Sequence, residues 1–472
     1  MSTFGALNTA YRGLTAAQQG MNVAGQNIAN AATEGYTRQR VEQSSLSAPV
    51  RGLFSGGLLQ PGQGVSVDGI ARLGSSFLDS GVRSAGAQAG YANIRSSALQ
   101  GIERILEEPG DNGISASLQG FWSAWQGVAN APGKTGPAGL LMEAGQELTT
   151  KISAGYRALE SKWSSIRGQA EDAVNAVNAA ALQVAALNTT IRSTVAAGGS
   201  ANELIDARAK LTETISRLSG GTVREQADGT VDIHVGGNAL VTGDSVRALS
   251  LSGSPTSEQM GAQVQLEWAD RPGMAVAVAG GEIAGTLAVL APDDSGKGGA
   301  IAEAAASYNE IADVLRDTVN RVHEGAQTST GATAGSFFSS VAGVPSALSL
   351  RVVPGDVSQI AVGTSGAGNL DNSIADKIAQ LGNGPGSPDA TWSRSVTGIG
   401  VQSRGAQQLE SLSAAAEISA LSSRASQSSV SLDEENVSLL TNQHAYQAAA
   451  RVMTAVDEAL DVLINRTGLV GR

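Results

Sequence analysis

The stretch LNTAYRGLTAAQQGMNVAGQNIANA, residues 7–31, organises the reading of this chain. Leu7, Leu14, Met21 and Ile28 fall seven residues apart, and Ala10, Ala17, Ala24 and Ala31 follow three residues after each. Apolar residues alternating by three and four line one stripe of an α-helix, the seam of a coiled coil. Alanine at every second seam position lets a partner helix approach closely. The outer face is rich in Gln, Asn and Thr and poor in charge. A second seam lies at the far end of the chain. There Leu439, Tyr446, Met453 and Leu460 repeat by seven, with Asn442, Ala449, Val456 and Leu463 three residues later. Two such seams predict that the termini pair with each other and that the middle of the chain is inserted between them.

Composition narrows the function classes. A chain of 472 residues accommodates about three domains. A net charge of −12 and a charged fraction of 16% argue against nucleic acid, which requires a basic face to neutralise phosphates. Aromatic residues make up only 4%, while Ala, Ser and Gly dominate, a composition suited to closely packed helices rather than a deep cleft. The absence of cysteine excludes disulfides and thiolate metal sites. No apolar run approaches the ~18 residues of a membrane span. The N-terminus lacks the basic and apolar regions of a cleaved signal peptide.

Between the seams the chain changes character several times. Residues 40–75 are punctuated by Pro49, Gly52, Gly56-Gly57, Pro61-Gly62 and Gly64, and read as an extended linker in which Gly64–Ile70 alternates like a short strand. Helices are expected over about 76–108, ended by Pro109-Gly110, and over 114–130, where Phe121, Trp122 and Trp125 mark a core. A long helix is expected over about 138–197, with Tyr156, Trp163, Ala170, Val177, Val184 and Ile191 in a strict seven-residue step. Leu159, Ile166, Ala173, Ala180 and Leu187 form its second row. A further amphipathic helix carries Asn202, Leu204, Asp206, Arg208 and Leu211. Short alternating runs from Thr222, with turn signals at Asp228-Gly229 and Gly236-Gly237, predict a small β domain over 222–295. Helix returns at Ala300, residues 326–404 are loop-rich, and another helix is expected over about 405–429, with Leu409, Leu412, Ala416 and Leu421. The last helix opens at Ser431-Leu432-Asp433-Glu434, a capping box in which Ser431 accepts from an early amide and Glu434 reaches back.

The expected fold is therefore mainly α with a β insertion: an elongated, multi-domain rod with paired terminal coiled-coil helices, a long α-helical bundle shell and a small outer β domain. The domains run 1–39 with 432–472, 40–75, 76–221 with 296–431, and 222–295.

The run from Asn27 through Asn30 to Thr33-Glu34-Gly35-Tyr36-Thr37-Arg38-Gln39 resembles the N-terminal signature of the axial proteins of the bacterial flagellum. Gly35 supplies the left-handed residue past the helix end. Gln26 and Glu34 depart from that signature, which usually has Asn and often Pro there. Arg38-Gln39 after Gly35-Tyr36, the Asn202–Leu211 run, and Leu432–Glu435 with Gln443–Val452 are similar to the hook-associated junction members of that family. The resemblance implies a structural subunit that forms a ring at the hook tip, with the hook protein below and a second junction protein and the flagellin side above. It also implies an export chaperone on the C-terminal helix and secretion through the flagellar export channel without a cleaved signal. The residues expected to carry subunit assembly are Leu7, Leu14, Met21, Asn22, Asn27, Ile28, Asn30, Gly35, Tyr36, Arg38 and Gln39. At the other end they are Leu439, Tyr446, Ala449, Met453, Val456, Leu460 and Leu463.

Two other readings compete. A hook or distal rod subunit shares both terminal seams, although the resemblance gives those proteins mostly β structure between their ends. An adhesin or enzyme module in 222–295, anchored by the termini, is the second. Enzyme signals are absent: His234 lies in the β segment, while His323 and His444 are expected on polar helix faces, so metal-ligand spacing is not met. No catalytic, metal or cofactor residues are expected. Because a single helix pair buries little area, both termini are expected to be largely disordered in the free subunit and to fold when neighbours cover them.

Overall fold

The computed structural model describes residues 3–47, 62–254, 256, 260–368 and 370–466. The punctuating residues Pro49, Gly52, Gly56-Gly57 and Pro61, and the chain beyond Arg466, lie outside the described residues. The terminal helices α1 (Thr3–Asn30) and α11 (Leu432–Asp461) run side by side. On α11 the covered stripe is Glu435, Leu439, Asn442, Tyr446, Ala449, Met453, Val456 and Leu460, and all but Glu435 are only half-buried. On α1 the buried residues are Ala10, Ala16, Ala17, Gly20, Val23, Ala24 and Asn27, with Leu7, Leu14, Met21 and Ile28 half-buried along the flank. The seam is thus centred on small residues, and the large ones splay to the sides. Close approach explains the shift: a Cβ on Gly20 would stand 2.4 Å from the Asn442 Oδ1.

After α1 the chain makes a turn in which Tyr36 N–H donates to the Thr33 carbonyl, with Gly35 at φ +82° in the third position. The helix itself has already ended at Asn30. The segment expected to be an extended linker is a two-stranded antiparallel arm, β1 (Gln39–Ser45) paired with β2 (Val65–Arg72). Strand β1 escapes sequence patterning because Val41 is its only apolar residue, so backbone pairing rather than alternation defines it.

The shell is built from α2 (Ser76–Leu106), α3 (Ile114–Asn130), α4 (Thr135–Ala196), α5 (Asn202–Ser219), α6 (Gly281–Leu290), α7 (Ala300–His323) and α10 (Pro388–Ser428). Two short helices, α8 (Ser346–Ser349) and α9 (Ser373–Ala379), lie between the last two. The 62 residues of α4 span about 90 Å at ~1.5 Å per residue. Its first seam row is buried as expected, but beyond Ala170 the second row drifts one residue on, to Val174, Ala181 and Asn188, with Ala180 still buried beside Ala181. Ala173 and Leu187 are left half-buried. A helix of 3.6 residues per turn drifts against a strict seven-residue repeat, and α4 packs on several successive partners rather than on one supercoiled mate.

Helix α10 starts 17 residues before the expected Gly405, with Ser387 accepting from Ala390 N–H and Pro388 in the first turn. Burial of Trp392 and Ile399 overrides the two helix-weakening glycines Gly398 and Gly400. Its inward stripe past Ile399 is Ser403, Ala406, Glu410, Ser413 and Glu417, while Leu409, Leu412, Ala416 and Leu421 face outward, Leu412 being 69% exposed. Small and polar residues there let α10 lie close along α2, where Ser403 donates to Glu103 and Asn93 to Glu410.

The β insertion forms two antiparallel sheets. The first is β3 (Thr222–Glu225), β4 (Val231–Val235), β5 (Asn238–Thr242) and β6 (Ser245–Val246). The second is β7 (Leu249–Ser252), β8 (Gln265–Trp268) and β9 (Arg271–Ala275). Their apolar faces share one core with Val177, Val184 and Ile215 of α4 and α5. The strands end before residue 295, since α6 occupies residues 281–290 and joins the helical shell. Its apolar run is too continuous for periodicity to separate strand from helix. Asparagines on α4 stand in for missing strands: Asn178 exchanges 2.8 Å hydrogen bonds with both backbone groups of Leu249, and Asn188 bonds both backbone groups of Val231 at 2.8 and 3.1 Å.

The second core gathers Phe121, Trp125, Phe337, Phe338 and Trp392, all fully buried, with Trp122 nearly so. His323, expected on a polar face, is fully buried against Trp125 and Phe337. Its Nδ1–H donates to the Gly335 carbonyl at 2.7 Å, and its Nε2 accepts from Ala361 N–H at 3.0 Å. It therefore pins the loop-rich segment to the end of α7. That segment folds into two small antiparallel strand pairs: β10 (Gln327–Thr328) with β13 (Ala361–Gly363), and β11 (Phe338–Ser339) with β12 (Arg351–Val352).

Candidate assembly site

The turn after α1 is the most densely bonded part of the terminal unit. Asn27, 1% exposed, uses its whole side chain there. Its Nδ2 donates to the Gln39 carbonyl (2.9 Å) and to Glu435 Oε2 (3.0 Å). Its Oδ1 accepts from Gln39 N–H (3.0 Å) and from the Tyr36 hydroxyl (2.9 Å). That is the full capacity of an asparagine side chain. Burial, helped by Glu203, Asp206 and Glu435, pushes the Tyr36 hydroxyl up to about 12, so it stays protonated and donates.

Arg38 ties this turn to α11. Its Nε bonds Glu435 Oε1 at 2.7 Å and its NH1 bonds Glu434 Oε2 at 2.6 Å. Ser431 caps α11 by accepting from Glu434 N–H, but the Glu434 carboxylate turns to Arg38 instead of back to its own helix start. A guanidinium offers a stronger, charge-assisted partner than a neutral amide. The acidic cluster read as a cap is therefore also a clamp, and Glu435 is the one fully covered residue of α11.

A second tier joins the turn to the shell through α5. Thr37 N–H donates to Asp206 Oδ2 at 2.9 Å, and Arg72 Nε donates to Asp206 Oδ1 at 2.5 Å. Gln39 donates to Glu203 Oε1 (3.0 Å) and accepts from Asn202 Nδ2 (3.2 Å), which also donates to the Ile70 carbonyl (2.9 Å). On the next turn Arg208 bonds Asn188 Oδ1 (2.9 Å) and the Gly229 carbonyl (2.7 Å). Burial lowers this guanidinium to about 10, still cationic at neutral pH. The Asn202, Asp206 and Arg208 positions thus connect terminal turn, arm, α4 and β insertion. Around them Arg424 pairs with Glu213 and Asp79, and Arg72 also faces Asp79 at 3.6 Å. A cavity of about 290 Å³ lies between the turn, α5 and α10.

The residues expected to assemble thus separate into groups. Asn27, Tyr36, Arg38 and Gln39 are engaged within the chain by the clamp, and Gly35 shapes its turn. Leu7, Leu14, Met21 and Ile28, with Leu439, Tyr446, Ala449, Met453, Val456 and Leu460, line the half-covered seam. Asn22 and Leu463 are exposed, and Asn30 donates to the Gln26 carbonyl. Sequence reasoning missed Glu435, Asp206, Asn202, Glu203 and Arg72 as parts of one cluster. The only signal was that Asn202, Asp206 and Arg208 place polar groups on an otherwise amphipathic helix. Among the described residues no group of three or more His, Asp or Glu side chains is placed to hold a metal, and no helix is long and apolar enough to cross a membrane.

Comparison with known proteins places this architecture. Residues 99–338 match the family described as the flagellar hook-associated protein FlgK helical domain. Residues 7–37 match the flagella basal body rod protein family, and residues 421–466 match the C-terminal family of the basal body rod FlgEFG proteins. Flagellar hook-associated protein 1 of Bacillus subtilis is 28% identical over 508 aligned residues, covering 100% of both chains. The protein of that name from Salmonella typhimurium is 30% identical over 248 residues, 52% of this chain and 44% of that one. The solved structure of the flagellar hook junction protein FlgK from Burkholderia pseudomallei shares the fold, with a TM-score of 0.61 at 15% identity over 74% of this chain and 100% of that one. With the FlgK helical domain spanning half of its length and rod-type segments at both ends, the chain belongs to the FlgK family of flagellar hook-associated proteins, structural proteins of the hook–filament junction.

Proposed function

We propose that this chain forms its part of the junction by assembling into a ring at the hook tip through α1 and α11. The observation that carries this reading is the α1–α11 seam. Its apolar residues on α11 are only half covered within one chain, and Val437, Leu440 and Val452 beside them are exposed. Neighbouring copies would complete the burial. The hook protein would lie below the ring, and a second junction protein and the flagellin side above it. An export chaperone would cover the C-terminal helix before secretion to the cell exterior without a cleaved signal. The role is structural rather than enzymatic.

On α1 burial is densest from Ala16 to Asn27, next to the clamp, and thins toward Phe4, which narrows the expected disorder of the free subunit to the parts of the pair farthest from the clamp. In the free chain, amide hydrogen exchange should be slow at residues 27–39 and fast in the first half of α1 and the second half of α11. Uniform slow exchange along both helices would remove the coupling of folding to assembly. The role itself is tested by electron microscopy of cells lacking this gene, complemented with the full chain or with a chain missing residues 432–472. Hooks without filaments, with flagellin shed into the medium and rescued only by the full chain, are expected. Loss of the hook itself would make the protein a hook or rod subunit instead.

A further inference from the structure

The two apolar cores contain no residue from 3–47, 62–75 or 429–466 among the described residues. The terminal pair and its arm are therefore held to the shell almost entirely by polar groups. The chain crosses between the two units only near residues 73–75 and 429–430, where Leu73 N–H bonds the Arg38 carbonyl and Arg38 N–H bonds the Ser428 carbonyl. Apolar cores resist opening as a whole, whereas polar contacts exchange one by one with water at small net cost. Bonds within the moving unit, such as Asn27 and Arg38 to Glu435, do not cross this boundary. Apart from Arg38 N–H on Ser428 at the end of α10 and Arg72 facing Asp79 on α2, the bonds that do cross converge on α5.

Asn202 bridges Gln39 and the Ile70 carbonyl, but among these residues Asp206 joins two segments of the terminal unit through a charged group. Each of its two carboxylate oxygens holds a different segment of the terminal unit: the backbone of Thr37 after α1, and the guanidinium of Arg72 at the end of β2. We infer that Asp206 is a latch residue on α5 that sets the orientation of the terminal helix pair on the shell. With it open, the pair and arm swing as one body about the crossings at 73–75 and 429–430. Asp206 acts on assembly through Thr37 and Arg72, and is in this sense a positioning residue. The inference concerns the single chain and stands apart from the ring reading, because its test needs no assembled flagellum. The Arg72–Asp206 pair is mostly buried, so moderate salt screens it only weakly.

The chain has no cysteine, so site-specific labelling is direct. Spin labels at Gln443→Cys and Ser161→Cys, both on exposed helix faces, report the distance between pair and shell in the full chain by pulsed electron resonance. The parent chain is expected to give one narrow distribution. Asp206→Ala should broaden it or shift its mean by several ångströms, with helix content and the main thermal transition unchanged. Asp206→Asn, which keeps an acceptor for Thr37 N–H but removes the charge facing Arg72, should fall between. Glu171→Ala, which removes a pair confined to α4, should leave the distribution unaltered. If Asp206→Ala fails to fold, Arg72→Gln opens the same pair from the arm side and is read identically. An unchanged distribution in a folded variant overturns the latch. So does loss of shell structure in both variants, which would make the pair a requirement of the shell's own fold.

Discussion

The shell and the terminal pair use opposite means of cohesion within one chain. The shell buries Trp125, Trp163, Trp392, Phe121, Phe337 and Phe338 completely. The pair buries Ala10, Ala16, Ala17, Gly20, Val23 and Ala24 and leaves Leu7, Leu14, Met21 and Ile28 half-open. A core of large apolar residues is stable in one chain. A seam of small residues brings two backbones close but gains little from water exclusion, so its stability depends on what else covers it. At its root this pair relies on hydrogen-bonded and charged groups, Asn27, Arg38 and Glu435, rather than on apolar burial. The difference teaches that the pair is a shaped surface with a fixed register, and the shell is the body that presents it.

The largest effect that would sharpen this contrast is expected in the shell. Trp125→Ala removes a buried indole from the aromatic cluster and should cost roughly 3–5 kcal/mol in chemical unfolding. Tyr446→Ala in the seam should leave the same transition almost unmoved. Equal losses from both would mean that pair and shell unfold as one unit.

A smaller effect is expected in the pair. Gly20→Val places new atoms against Asn442 and should destabilise the pair by about 1–3 kcal/mol through overpacking. Asn442→Ala in the same chain should restore much of the loss, read by helix content of the terminal segments or by hydrogen exchange at residues 10–27. Absence of rescue would show that Gly20 is needed for another contact.

The smallest effect belongs to His323. Burial lowers its proton affinity in the folded chain, so below about pH 6.5 the unfolded chain binds the extra proton. Folding stability should therefore be level above that pH and fall as the pH drops below it, by at most about 1.4 kcal/mol per pH unit. Urea midpoints across that range should show a shallower slope for His323→Gln than for the parent, and an identical slope would assign the acid sensitivity to other groups. The pair contains no comparable buried histidine among its described residues: His444 is exposed on α11.

Much of this was legible in the residues. The α11 stripe from Leu439 to Leu460, the first seam row of α4 from Tyr156 to Ile191, and the core role of Phe121, Trp122 and Trp125 all follow from spacing, which reflects the helix period itself. Other features depended on partners far away in sequence. Strand β1 exists because β2 pairs with it. The first turns of α10 exist because Trp392 and Ile399 have a core to enter. His323 is buried because the segment around Gly335 and Ala361 folds over it.

Periodicity alone determined that the termini are helices with complementary stripes, that a long helical body lies between them, and that short strands interrupt it. These are local consequences of backbone geometry and water avoidance, and they need no knowledge of distant residues. Only the tertiary structure decided that Asn27, Arg38, Glu435, Asp206 and Arg72 form one clamp. Hydrogen bonds and ion pairs act over a few ångströms, and 408 residues of chain separate Asn27 from Glu435, so no pattern within either segment records their meeting.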